Sequence, residues 1–184
     1  VFWYGPGSAR ASLWTSRPTG SRATARTVGG CYAAVVGDFD GNGLDDLFWY
    51  APGAAGDSMW LHSTRGGYTT KAVTAGGAYW PLVGDFDGDK RDDIVWYAPG
   101  SGQDSAWFGG SGGKFSAQMF KVNTTYQPVV ADLGADGRDD LLWYAPGDTS
   151  DLWTRWGGDR GRSSVGLALG GNHQPFVGEF SSGG

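Results

Sequence analysis

The chain is poor in the residues on which several kinds of chemistry depend. Among its 184 residues it has one cysteine, Cys31, which excludes an internal disulfide and the thiolate-rich zinc sites; Cys31 reads as a small buried residue. It has two histidines, His62 and His173, in different parts of the chain and without a carboxylate or nucleophile at matched spacing, so neither a triad nor a two-histidine metal site finds support. Charged residues make up 18% of the chain and leave a net charge of −5. Lysine and arginine do not cluster as a phosphate backbone requires, and nucleic acid is not an expected partner. No apolar run approaches the length of about 18 residues that a membrane span needs, so membrane insertion is not expected. The chain also opens without a charged-then-apolar leader, in what reads as the middle of a repeat.

What is abundant is glycine and aromatic side chains: 34 Gly, 10 Trp, 8 Tyr and 9 Phe. That mixture suits many short strands joined by tight turns better than helices. The length fits one domain. The acids are unevenly placed, because 13 of the 19 fall in Asp38–Asp46, Asp85–Asp93 and Asp132–Asp140. A local device, not a solvated surface, is the expected reason.

Those three segments belong to an internal repeat. VVGDFDGNGLDDLFWYAPG at Val35–Gly53 recurs as LVGDFDGDKRDDIVWYAPG at Leu82–Gly100 and as VVADLGADGRDDLLWYAPG at Val129–Gly147, each 47 residues after the last. Each unit reads as four short strands, such as Trp80–Gly84, Asp93–Ala98, Ser105–Phe108 and Phe115–Val122, separated by glycine-rich turns. A four-stranded unit of about 40–50 residues is the signature of a propeller blade, which must pack on its neighbours to cover its apolar faces. The all-apolar strand LFWY, IVWY or LLWY suits a position between adjacent blades. The fold expected is all-β, a β-propeller of about four repeats. The domain spans 1–184, with units near 32–78, 79–125 and 126–174 and a fourth made of 1–31 together with 175–184. VFWYGPG at the start carries only the tail of the motif, and FVGEF near the end only its head. Closure of four blades by the N- and C-terminal strands would remove exposed edges; a four-unit piece of a larger propeller is the alternative.

In the first unit Asp38, Asp40, Asn42 and Asp46 place oxygen side chains at loop positions 1, 3, 5 and 9, with the Leu44 carbonyl at position 7. The second unit offers Asp85, Asp87, Asp89, the Arg91 carbonyl and Asp93. Calcium takes six to eight oxygen ligands, and carboxylates converging in one turn repel unless a cation offsets them. Position 12 is Trp49 or Trp96, where an EF-hand needs a bidentate Glu, and the flanks read as strands. A strand-loop-strand calcium site is therefore expected. The third loop keeps Asp132, Asp136, the Arg138 carbonyl and Asp140 but has Gly134 at position 3, so weaker binding is expected, and Glu179 followed by SSGG has no site. The competing reading is that these Asp and Gly residues only make turns. Asp45, Asp92 and Asp139 lie between ligand positions and are expected to face solvent or pair with nearby arginine.

At these residues the chain resembles the FG-GAP or VCBS repeats of integrin-α-like propellers, particularly the WYAPG-containing units of secreted actinobacterial proteins. The resemblance implies a propeller with calcium in its inter-strand loops and an extracellular setting. It implies no single role, since such modules serve adhesion, sugar binding or support of a neighbouring enzyme.

A second tryptophan recurs at Trp14, Trp60, Trp107 and Trp153, ten or eleven residues after Trp3, Trp49, Trp96 and Trp143. The earlier set sits in apolar runs and is expected in the core. The later set borders Asp, Ser and Gly and could stack on sugar rings. GGSGG at Gly109–Gly113 spells G-x-S-x-G but reads as a hairpin turn rather than a nucleophile elbow. No enzyme is expected, since the acids outside the loops, Asp57, Asp104, Asp148, Asp151 and Asp159, all sit in turn-like contexts. The expected function is a calcium-stabilised, non-catalytic binding module of a secreted protein that recognises a glycan or cell-surface ligand. The alternative is a protein-interaction propeller attached to a catalytic or toxin domain, working beside other domains or subunits.

Overall fold

The computed structural model describes residues 1–53, 56–148 and 150–178, with the side chains of Ala9, Ser16 and Arg17 left aside. It is all-β. The strands are β1 (Phe2–Tyr4), β2 (Ala9–Arg17), β3 (Gly20–Val28), β4 (Ala33–Gly37), β5 (Asp46–Tyr50), β6 (Asp57–His62), β7 (Tyr68–Val73) and β8 (Trp80–Gly84). They continue with β9 (Asp93–Tyr97), β10 (Asp104–Gly110), β11 (Lys114–Phe120), β12 (Gln127–Ala131), β13 (Asp140–Tyr144), β14 (Asp151–Trp156) and β15 (Arg162–Leu167). They form three four-stranded antiparallel meanders, β4–β7, β8–β11 and β12–β15, preceded by a three-stranded one, β1–β3. The strands expected at Trp80–Gly84 and Asp93–Ala98 coincide with β8 and β9 to within a residue. GGSGG is the β10–β11 hairpin turn, closed by the Gly113 N–H on the Gly110 carbonyl at 2.9 Å.

The second strand of each unit explains its composition. β5 and β9 are buried at every position, because a neighbouring sheet covers each face, and after the leading Asp46 or Asp93 every side chain is apolar or aromatic. Successive sheets meet through one repeated contact, the Tyr of one unit against the Trp of the next. Tyr4–Trp49, Tyr50–Trp96 and Tyr97–Trp143 each have ring centroids 4.9 Å apart, tilted or edge-on. Such pairs add about 0.5–1.5 kcal/mol beyond the area they bury. The first strands β4, β8 and β12 lie beside one another in order.

The same tyrosines fix the crossing from one sheet to the next. The Tyr50 hydroxyl donates to the Gly77 carbonyl and accepts from the Tyr79 N–H. Tyr97 does so with Thr124 and Tyr126, and Tyr4 with Gly30 and Tyr32. A buried acid ties the same end of each four-stranded sheet: Asp57 accepts the N–H groups of Ala51 and Ala75, both at 2.7 Å. Asp104 holds Ala98 and Val122 in the same way, and Asp151 holds Ala145 and Leu169. Each carboxylate joins the turn after its unit's second strand to the segment after its fourth, so these acids are fully used by the fold.

Two expectations are corrected here. Cys31 is exposed, because it stands in the Gly29–Gly30–Cys31 linker between β3 and β4 and not in a sheet. Trp3, expected in the core, is 59% exposed, since among the described residues no sheet lies against its face in the way that β1 covers Trp49. Phe176 and Val177 are also exposed and lie outside any strand.

Candidate metal centre

The first Asp loop joins β4 to β5. Its turn is built by Asp38, whose Oδ1 accepts the N–H groups of Gly41 and Asn42 at 2.9 and 3.0 Å and whose Oδ2 accepts that of Gly43 at 2.7 Å. Asp40 Oδ1 receives the Asn42 N–H, and Asn42 Oδ1 that of Leu44. The chain turns back through Gly41 and Gly43, at φ 75° and 82°, a backbone region that L side chains rarely adopt. The second loop repeats the pattern: Asp85 accepts from Gly88, Asp89 and Lys90, Asp87 from Asp89, and Asp89 from Arg91. In the third, Asp132 accepts from Asp136 and Gly137, and Asp136 from Arg138. The turn-making role of these residues is thus real.

The turn does not use the whole acidic set. In the first loop, oxygens of Asp38, Asp40 and Asp46 lie within 4.8 Å of one another, and in the second those of Asp85, Asp87 and Asp89 do. Asp46 is fully buried; its Oδ1 accepts the His62 N–H at 2.7 Å, and its Oδ2 has no hydrogen-bond partner. The Phe39 N–H lies near the carboxylate and slightly opposes its rise in pKa. Burial, opposed mainly by the His62 N–H, pushes the Asp46 carboxyl up to about 6, and Asp40 and Asp38 add to the rise. A buried carboxylate beside two more acids is an unfavourable arrangement that a hard cation would relieve. The donor set therefore fits calcium, with Asn42 as a further oxygen close by.

The second loop is balanced differently. Asp93 stands apart from the clustered oxygens of Asp85, Asp87 and Asp89, with its own two oxygens taken by the N–H groups of Gly109 and Phe86 at 2.8 and 2.9 Å. Its carboxyl is pushed up to about 8, chiefly by burial. Two guanidinium groups supply positive charge: Arg91 contacts Asp89 at 2.7 Å, and Arg160, from the β14–β15 turn, contacts the buried Asp87 at 2.6 Å. The first loop has no such ion pair among the described residues. In the third loop Arg138 pairs with Asp136, Asp140 accepts the Gly134 N–H, and Gly134 leaves a gap where Asp40 and Asp87 stand. Glu179 lies outside the described residues.

Asp92 and Asp139 correct the sequence reading. They are neither solvent-facing nor paired with arginine. The Asp92 carboxylate accepts the Asp38 N–H of the preceding unit at 2.7 Å, and Asp139 accepts the Asp85 N–H at 2.9 Å. The backbone returns the contact, with the Asp92 N–H on the Asp38 carbonyl and the Asp139 N–H on the Asp85 carbonyl. Gly37 and Gly84 make room, since a Cβ on either would lie within 2.9 Å of the incoming Asp Cβ. Burial raises both carboxyls. The first two loops are thus each held by the acid of the following unit, a contact that repeat position alone could have suggested. Asp45, their counterpart in the first unit, is exposed.

The later tryptophans do not converge on one surface. Trp60 packs edge-on against Trp49 at 5.5 Å and near Tyr68, and Trp107 packs likewise against Trp96 and Phe115. Trp14 is 46% exposed and lies edge-on to Trp3. Trp153 pairs across from Leu142, whereas Trp60 and Trp107 pair with Leu47 and Ile94. The ten-residue spacing thus turns Trp153 to the opposite face of its sheet. Thr154 takes the vacated position and accepts the Trp143 indole N–H at 3.1 Å.

Residues 32–68 match the family model of the FG-GAP repeat, and residues 85–143 match that of the FG-GAP-like repeat. No curated protein and no solved structure gives a significant match.

Proposed function

We propose that this chain, an FG-GAP repeat protein, is a calcium-stabilised, non-catalytic binding module of a secreted protein. The observation that carries the calcium reading is the fully buried Asp46, with one unpartnered oxygen, held together with Asp38 and Asp40. The non-catalytic reading is supported by Asp57, Asp104 and Asp151, whose oxygens are committed to backbone N–H groups. His62 stacks on Tyr68 at 4.8 Å rather than on an acid or nucleophile.

Calcium titrated into chelator-stripped protein, with thermal unfolding in parallel, tests the metal reading. Calcium at about a hundred times its dissociation constant adds about 2.7 kcal/mol per site. For a domain of this size that raises the melting temperature by about 5–11 °C. Asp46→Asn should remove the first-loop share of this gain while leaving the protein folded in chelator. An identical melt with and without chelator would overturn the reading.

The ligand we favour is a glycan or cell-surface group, with Trp14 as its most accessible contact. A glycan panel with wild type and Trp14→Ala tests it, and selective binding lost in the variant is the expected result. The packing of Trp60 against Phe2 and of Trp107 against Phe48, each from the preceding sheet, favours a second reading, in which the sheets present a surface to a protein partner or a neighbouring domain. A silent panel would leave that reading standing.

A further inference from the structure

The two loops that each bring three carboxylates together face different neighbours. Beside the first lies an open cavity of about 410 Å³ whose lining includes Asp40, Leu61, Thr69, Lys71 and Gly112. The residues 47 positions after the first four of these are Asp87, Phe108, Ser116 and Gln118. All four touch one residue, Arg160. Its Nε donates to Asp87 Oδ2 at 2.6 Å and its Nη1 to Ser116 Oγ at 2.7 Å. Its guanidinium lies over the Phe108 ring, 4.6 Å from the centroid, and its carbonyl accepts the Gln118 side-chain amide at 3.2 Å. The space left open beside the first loop is filled beside the second.

One position makes the difference. Arg160 stands in the β14–β15 turn, and the same position of the β10–β11 turn, whose Gly112 borders the open cavity, is Gly113. Both have a φ of 63°, which glycine adopts freely and a residue with a Cβ disfavours. The N–H of each closes its turn in the same way, Arg160 onto the Gly157 carbonyl at 2.7 Å and Gly113 onto that of Gly110 at 2.9 Å. The turn suits glycine, and arginine is kept there by its contacts with the preceding sheet. Its partner is no surface carboxylate of the kind whose ion pairs contribute little. The Asp87 side chain is 4% exposed, and a carboxylate so buried is costly without a charge partner. Asp87 Oδ1 takes the Asp89 N–H, so both oxygens are engaged. Asp40 takes the Asn42 N–H on Oδ1 and makes no ion pair among the described residues.

We infer that Arg160 is the resident counter-ion of the second loop and sets the order in which the chain takes up cations, an inference that rests on the calcium reading proposed above. The first loop is open to a metal ion from the cavity beside Asp40. The second admits one only when the guanidinium leaves Asp87, since the two cations compete for one carboxylate and repel each other. Arg160 is free to leave, because its side chain is 35% exposed. Arg91 on Asp89 adds positive charge to the same loop but belongs to that loop. Arg160 comes from the following sheet, so filling the second loop also unfastens the β14–β15 turn from β11. The chain thus has one loop ready for calcium and one guarded by its own arginine.

Calorimetric titration of calcium into chelator-stripped wild type and Arg160→Gly tests this, with glycine chosen because Gly113 already occupies the equivalent turn at the same φ. In wild type the second loop should fill about tenfold or more weaker than the first, the first step being the one that Asp46→Asn removes. In Arg160→Gly the second step should tighten by about tenfold or more, with the first unmoved. A second readout follows the guanidinium itself and needs no variant: the Arg160 Nε–H resonance should be protected from exchange without calcium and lose that protection only as the second step fills. Two equal steps in wild type, a second step unmoved in Arg160→Gly, or an Arg160 Nε–H that stays protected while the second step fills would each overturn the inference and leave the calcium reading standing. No calcium binding by either protein would overturn both. Should Arg160→Gly fail to fold, the Nε–H signal of the wild type decides.

Discussion

The reach of Asp92 and Asp139 into the preceding loop makes a prediction that contact geometry alone can size. Asp92→Ala removes the acceptor of the Asp38 N–H, a 2.7 Å bond in a half-buried setting. Leaving such a donor without a partner costs about 1–3 kcal/mol. At about 2–4 °C per kcal/mol for a chain of this length, the melting temperature should fall by about 2–12 °C. Asp92→Asn keeps an acceptor oxygen at the same reach and removes a charge that burial disfavours, so it should stay close to wild type. Asp139→Ala and Asp139→Asn should repeat the contrast through the Asp85 N–H. If the loops of Asp38 and Asp85 hold calcium as proposed, the alanine variants should also bind it more weakly, while the asparagine variants should not. Thermal denaturation followed by tryptophan fluorescence, with and without chelator, reads both effects. If alanine and asparagine prove equally mild, the contact carries no stability and the sheets are held by their aromatic faces alone.

Arg160→Ala should destabilise the chelated protein, since it strips the buried Asp87 of its 2.6 Å ion pair, and should enlarge the melting shift that calcium produces; an unchanged shift would mean that the second loop takes no cation. Gly134→Asp should add a calcium equivalent in a titration, because a Cβ at Gly134 meets nothing closer than Asp140 Oδ2 at 3.6 Å and the new carboxylate would stand where Asp40 and Asp87 stand. The pH dependence has a definite sign. Folding raises the Asp46 carboxyl to about 6 and that of Asp93 to about 8, so the metal-free fold gains most when both are protonated, below the ordinary carboxylate range. It should lose that gain as pH rises through about 6 and then about 8. Saturating calcium favours the ionised form and should flatten or reverse the trend; urea midpoints measured from pH 4 to pH 9 with chelator and with calcium give the comparison.

Much of this architecture was legible because the repeat samples the same physical problem several times. A single Asp-rich turn says little, but the same acids recurring every 47 residues, followed each time by the apolar stretch LFWY, IVWY or LLWY, determine both the sheet and the loop it carries. The spacing also held a detail that a motif search passes over. Trp153 follows Trp143 by ten residues, where Trp60 and Trp107 follow by eleven. In a strand, one residue decides which face a side chain takes.

What stayed hidden were the contacts between units, since a repeat defines what each sheet contains before it defines what its neighbour presents to it. Asp92 read as a spare acid because, within its own unit, it has no task. Its task is the Asp38 N–H of the preceding unit, and the glycine that admits it, Gly37, lies 55 positions earlier. Arg160 is similar, an ordinary turn residue until its sheet is set beside the loop that holds Asp87. These contacts all run from a unit back onto the loop before it. A cation bound among Asp38, Asp40 and Asp46 would therefore brace the turn that Asp92 grips, and metal and neighbouring sheet would stabilise one structure. On that logic a lost contact between units and a lost cation should each weaken the other's hold, and their combined cost should differ from the sum of the two measured alone.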